Sequence, residues 1–355
     1  MNPGSSPSCA GFFIGHTNAC LTVLLVLCVT LSPGCIETLL HQEKVVTPHI
    51  IPVTNAPAPA SPTYTFPFER STITFTVPVN GSVYAGAKAA DKEVTIYGNV
   101  SRSDWVTRTY LSMTNDPNQE QFYKDLITRF REIRQRSTLA DDEYVELISV
   151  FVQSIHYETI AENPVKFPVE TFTDKSGDCD DKSLLLAGLL SREGYRVALL
   201  SFPDEAHMAV GIACPGTDYK NTGYAYIETT NFSFVGVPPD GLAGGVVLNS
   251  DPIVIPVGDG TKTYGACDQT RFLHETYVIT GTRFSDLSTQ ADSLKNELQS
   301  LRSSGTIKTY NLRVPVYNAL VGRLTQTVGV HNYILDHQYD RTGTYTWVNE
   351  HIAGL

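Results

Sequence analysis

The chain has 355 residues, 42% of them hydrophobic and 18% charged, a composition that excludes a largely disordered polypeptide and fits one large or two modest globular domains. Its formal net charge is −11. With no Lys/Arg-dense stretch or basic, aromatic-studded strand to neutralise phosphates, nucleic acid is excluded as an expected partner.

Residues 1–34 contain no Asp, Glu, Lys or Arg, and Ala19 to Leu31 is unbroken apolar or small sequence. As a helix this stretch spans about 20 Å, short of the roughly 30 Å hydrocarbon thickness, so 1–34 reads as a secretory leader. It ends Leu31-Ser32-Pro33-Gly34-Cys35, which resembles the lipobox of prokaryotic lipoproteins and would make Cys35 the lipid-attachment residue. A helix starting near Gly11 would have about 20 residues and could stay as an uncleaved anchor. Either anchor, lipid or helix, makes the membrane a partner and puts the rest of the chain on its outer face.

Residues 35–64 are rich in Pro, Ala and Thr, the composition of an extended tether. Residues 65–116 read as a small β-rich unit, because Thr72 to Val77 alternates and Glu93 to Tyr97 repeats the pattern. Two helices are expected next. Phe122, Leu126, Ile127 and Phe130 recur at helical spacing, as do Tyr144, Leu147, Ile148, Phe151, Val152 and Ile155. Tyr157, just beyond, is a candidate pocket wall or oxyanion helper, or else a core tyrosine with its hydroxyl at the surface.

The chemistry-bearing segment is Ser176-Gly-Asp-Cys-Asp-Asp-Lys-Ser183, which runs into Leu184 to Leu190 and stops before Gly194. It predicts a helix with Cys179 in the first turn, where free N–H groups and the helix dipole favour a thiolate and an oxyanion. Asp178, Asp180 and Asp181 are read as capping residues and not a calcium loop, since the DxDxDG spacing is absent. As an acidic collar they raise the thiol pKa. Val197 to Phe202, Met208 to Ala213 and Tyr224 to Thr230 predict strands, with His207 at a strand entry. Pairing Gly211 with Tyr224 in a hairpin would also pair His207 with Glu228. A nucleophile, a base and an orienting carboxylate are the groups that cysteine catalysis needs.

The order Cys, His, acid, together with the block Gly177 to Leu200, the strand from His207 and Tyr226-Ile-Glu-Thr-Thr230, resembles the transglutaminase-like branch of the papain superfamily, especially extracytoplasmic members with a GDCDDKS block. The resemblance spans Ala140 to Asn231. It implies an α+β fold, a papain/transglutaminase-like core over 117–281 with the nucleophile at a helix N-terminus on an antiparallel sheet. It also implies a catalytic triad of Cys179, His207 and Glu228, no cofactor, and a protein or peptide amide substrate opened by hydrolysis or transamidation. Glu228 stands where many relatives have Asp, and Ala209 where they have an aromatic. The competing expectation is a non-catalytic cell-surface binding module with a vestigial site.

Cys214 and Cys267 either pair as a disulfide or stay as buried free thiols. Asn80, Asn99 and Asn231 begin N-x-Ser sequons. His331, His337 and His351, with Asp336 and Asp340, fit no standard ligand spacing, so no metal is expected. Leu287, Leu294, Leu298 and Leu301 share a helix face that Gly305 ends, and 282–355 reads as a helical C-terminal extension.

Overall fold

The computed structural model describes residues 43–159, 164–242 and 245–353. The leader and Cys35 lie outside them. Among the described residues no helix is long and apolar enough to cross a membrane. The fold is mixed α+β, with small antiparallel sheets and a helical C-terminal region.

The chain forms two compact units. Of the described residues, the smaller comprises 43–46 and 95–105; in it β1 (Lys44–Val46) pairs antiparallel with β4 (Thr95–Tyr97). The larger comprises 47–94 and 106–355. It opens with chain expected to be a tether, which is mostly exposed but anchored where Pro48, Ile50 and Pro62 are buried. The Ile50 N–H donates to Asp116 Oδ2 (2.7 Å), and Asn118 Nδ2 donates to the Ile50 carbonyl (2.9 Å). Two glycines admit the segment. A Cβ on Gly81 would lie 2.2 Å from the Pro57 carbonyl oxygen and one on Gly86 2.4 Å from that of Ile51.

The β-rich expectation for 65–116 holds for the hairpin of β2 (Thr63–Phe68) with β3 (Ser71–Thr76) and for β4. It fails for the helices α1 (Gly81–Ala89) and α2 (Arg102–Thr114). The Asn80 side chain caps α1 by accepting from the N–H groups of Ser82 and Val83, which starts a helix where a β-rich unit was expected. The hairpin's Tyr64, Phe66 and Phe75 pack with Phe130 of α3 (Glu120–Ser137) and Phe151 of α4 (Asp141–Ser154), ring centroids 5.0–6.1 Å apart. Both helices were expected from their spacing. Next come β5 (His156–Tyr157), α5 (Pro168–Asp174), β6 (Ser176–Gly177) and α6 (Cys179–Arg192), whose residues Leu184 to Leu190 are all buried.

α6 lies against a four-stranded antiparallel sheet of order β10-β7-β8-β9, built from β7 (Val197–Phe202), β8 (His207–Ile212), β9 (Ala225–Ile227) and β10 (Ile253–Val257). The β8/β9 register differs from expectation. Gly211 pairs with Tyr226, not Tyr224, and Tyr224 sits diagonally over it, where a Cβ on Gly211 would meet Tyr224 Cβ at 2.8 Å. Because side chains alternate with period two, this two-residue shift leaves His207 and Glu228 on one face as diagonal neighbours.

The boundary expected after Gly281 falls inside α7 (Cys267–Ser303). Gly281 is not a stop there. It is a close-approach point, since a Cβ would lie 3.3 Å from His331 of α8 (Ile307–Asp336). The Glu297–Arg313 ion pair (2.9 Å) links the same helices further out, so α7 and α8 run antiparallel as a helical hairpin turned at Gly305. The C-terminal extension is helical as expected, with α8 followed by α9 (Arg341–His351). Leu273, Val330, Ile334 and Val348 of these helices enclose Phe234, and the buried Arg341 donates to Glu146 of α4 (2.5 Å).

Candidate active site

The three aspartates at the start of α6 divide their duties. Asp178 is the N-cap: its carboxylate accepts from the N–H groups of Asp180 (3.1 Å) and Asp181 (3.2 Å). Asp181 returns the contact to the Asp178 N–H (3.3 Å) and accepts from the Lys166 N–H (2.6 Å). Asp180 caps nothing. It accepts from the Tyr110 hydroxyl on α2 (2.7 Å) and from the Cys179 thiol (3.5 Å). Cys179, the sole free cysteine among the described residues, is 7% exposed. Its N–H has no partner among the described residues, which leaves one first-turn donor available to an oxyanion.

The sulfur lies 3.9 Å from the Ala206 carbonyl oxygen and takes a backbone N–H contact from Met208. Those two residues flank His207, so the thiol lies against the backbone at the entry to β8, while the cleft beside His207 and Glu228 does not count Cys179 among its lining residues. Ala206 adopts a left-handed φ of 49°, a conformation costing a non-glycine residue about 1–3 kcal/mol and characteristic of functional turns. Burial, then the charges of Asp180 and Asp178, push the thiol pKa well up, against the Met208 N–H. The acidic collar acts as the sequence implied, chiefly through Asp180.

The imidazole side is fully wired. His207 Nε2 is 3.0 Å from the Tyr226 hydroxyl and 3.4 Å from Glu228 Oε2, and that hydroxyl donates to the same carboxylate oxygen (2.8 Å). With its own proton committed to Glu228, the tyrosine oxygen accepts, so Nε2 carries the hydrogen and Nδ1 the lone pair. Glu228 Oε1 accepts from the Thr229 and Thr230 N–H groups and the Thr230 hydroxyl, at 2.9, 2.8 and 2.6 Å. Burial alone would raise the Glu228 pKa, but His207 and these donors outweigh it and hold it at about 2. The carboxylate stays ionised where a base is needed.

Ala209 is buried in a cluster with Leu200, Phe202 and Tyr226; a small residue there leaves room for the Tyr226 ring. Tyr157 is 37% exposed, pairs with Gly177 across β5 and β6, and lines the cleft, so it is a wall and not a core residue. Cys214 and Cys267 are joined as a disulfide. His331 stacks on Tyr277, His337 on Tyr333 and His351 on Trp347, which gives these histidines packing partners. Among the described residues no cluster of His, Cys, Asp or Glu could hold a metal.

Four contributors escaped the sequence reading. Tyr226 could have been found, since it stands two residues before Glu228 on the same strand face. Lys182 also left a signal, as a lone cation entering an apolar helix. It is buried, donates to the carbonyls of Gln153 (3.2 Å) and Ile155 (2.8 Å), and burial lowers its pKa to about 8. Gln153 in turn donates to the Glu228 carbonyl (2.8 Å). Tyr110 left none, being distant in sequence from Cys179.

Beside His207 and Glu228 opens a cleft of about 690 Å³. Tyr157, Phe232, Pro238 and Pro239 line it from the core, and His274, Tyr277 and Ile334 of the helical hairpin close its far side. The C-terminal helices, which had no assigned role, thus form one wall of the site. No protein-family model, curated protein or solved structure matches the chain.

Proposed function

We propose that this chain is a cysteine hydrolase of the transglutaminase-like kind, with a papain-like core, acting on amide bonds of a protein or peptide at the outer face of a membrane. The observation that carries it is the Tyr226-braced His207–Glu228 pair, set where Cys179 at a helix start meets the entry to β8. In the reaction His207 Nδ1 takes the thiol proton and the sulfur adds to the carbonyl carbon. The oxyanion is held by the Cys179 N–H, and the imidazolium returns its proton to the leaving amine. Water, deprotonated by the same imidazole, then releases the acid and regenerates the thiol; an amine in its place gives transamidation.

The vestigial-site reading has one observation in its favour. At rest the thiol donates to Asp180 and carries a raised pKa. One experiment separates the two: the rate of iodoacetamide modification of Cys179 against pH, mapped by mass spectrometry, in the native protein and in His207→Ala, alongside turnover of a fluorogenic peptide amide. A cysteine hydrolase gives a profile that loses an inflection without His207, and turnover abolished by Cys179→Ser. A thiol indifferent to His207, with no turnover, sinks the reading.

A further inference from the structure

The cleft also says what it takes in. Its 690 Å³ lies within the range of about 300–1,000 Å³ typical of ligand sites. The wall is aromatic, prolyl and aliphatic: Tyr157, Phe232, Pro238, Tyr277 and Ile334. None of the described lining residues is Lys or Arg; the cleft's basic groups are the imidazoles of His207, which is held by Glu228, and His274. Besides Glu228, its carboxylates are the half-buried Glu205 and the exposed Asp240.

Glu205 is no wandering surface group. Its carboxylate accepts from the Ser250 hydroxyl (2.5 Å) and the N–H groups of Ser250 (2.7 Å) and Asn249 (2.9 Å). The Lys220 ammonium in turn pins the Ser250 carbonyl (2.6 Å). Two residues before His207, the chain therefore holds a fixed negative charge at the cleft. A pre-placed charge favours an opposite charge on the ligand without an ordering cost, and it repels a like one.

We infer that the cleft binds an internal stretch of polypeptide carrying a basic side chain beside aromatic or aliphatic ones, with Glu205 and Asp240 as specificity-determining residues. A terminal or side-chain carboxylate is selected against. The inference rests on the hydrolase reading for the place of bond cleavage but not for binding.

The test uses the catalytically silent Cys179→Ala protein and three fluorescein-labelled ten-residue peptides sharing a Phe/Ala frame with Lys, Gln or Glu at the centre, read by fluorescence anisotropy. The Lys peptide should bind about tenfold more tightly than the Glu peptide, with the gap closing as salt screens it. Asp240→Lys in the same background should reverse the order with an unchanged circular dichroism spectrum; Glu205→Gln should narrow the gap. Equal affinity for all three peptides, binding of none, or an order unaffected by Asp240→Lys overturns the inference. Failure of the hydrolase reading has a different signature: no turnover of the Lys peptide by the wild type, with the binding order intact.

Discussion

The thiol side and the imidazole side of the candidate site are built on opposite electrostatic plans. Around His207 every charge has a counterpart: a carboxylate, a tyrosine hydroxyl and three donors behind the carboxylate keep the ring in one tautomer. Around Cys179 the nearest charge, on Asp180, opposes ionisation. The base is prepared and the nucleophile is restrained. Under the proposed reaction the thiol must give up its contact with Asp180 before its proton can pass to the imidazole.

The sharpest way to break this comparison is Glu228→Gln. If the proposed hydrolase reading holds, loss of the orienting charge cuts kcat on the peptide amide by up to about 10⁴-fold, as in established Ser-His-Asp triads. It should also alter acid stability. Because the folded pKa of Glu228 is depressed to about 2 from an ordinary 4.5, its stabilisation is complete above the ordinary value and drains away as pH falls towards 2. Urea midpoints between pH 5 and pH 2 should fall more steeply for the wild type than for Glu228→Gln; parallel slopes would show that the wiring is energetically idle. Asp180→Asn tests the other side. It removes the opposing charge and should speed alkylation of Cys179 near neutral pH about tenfold; a slower rate would mean that Asp180 helps to prepare the thiol. The smallest effect is expected from Tyr226→Phe, which leaves the direct His207–Glu228 contact, should lower kcat several-fold and should cost about 1 kcal/mol of stability.

What the sequence made legible follows from range. Elements set by local pattern came through: α3, α4, the cap and first turn of α6, and β7 and β8. The partnership of His207 and Glu228 survived a register two residues off, because only the parity of the shift decides which face a side chain takes. Contacts made across the chain did not come through. Tyr110 reaches Asp180 from another helix, and the helix that Asn80 caps lay inside a region read as β-rich. The run Tyr277-Val-Ile-Thr-Gly281 looks like strand and turn by propensity but is helix, because packing against α8 overrides local preference. The same blindness hid the wall of the cleft, since no local pattern tells which surface a long helix will face.

The disulfide gives that wall a mechanical character. Cys267, the first residue of α7, is tied to Cys214 just past the end of β8, while His274 and Tyr277 stand about 10–15 Å along the helix from this rivet. A lever fixed at its root moves least close to the root. A swing of the helical arm about that root displaces the end near Gly305 most and the two side chains facing the cleft least, the geometry of a vice with one jaw bolted down.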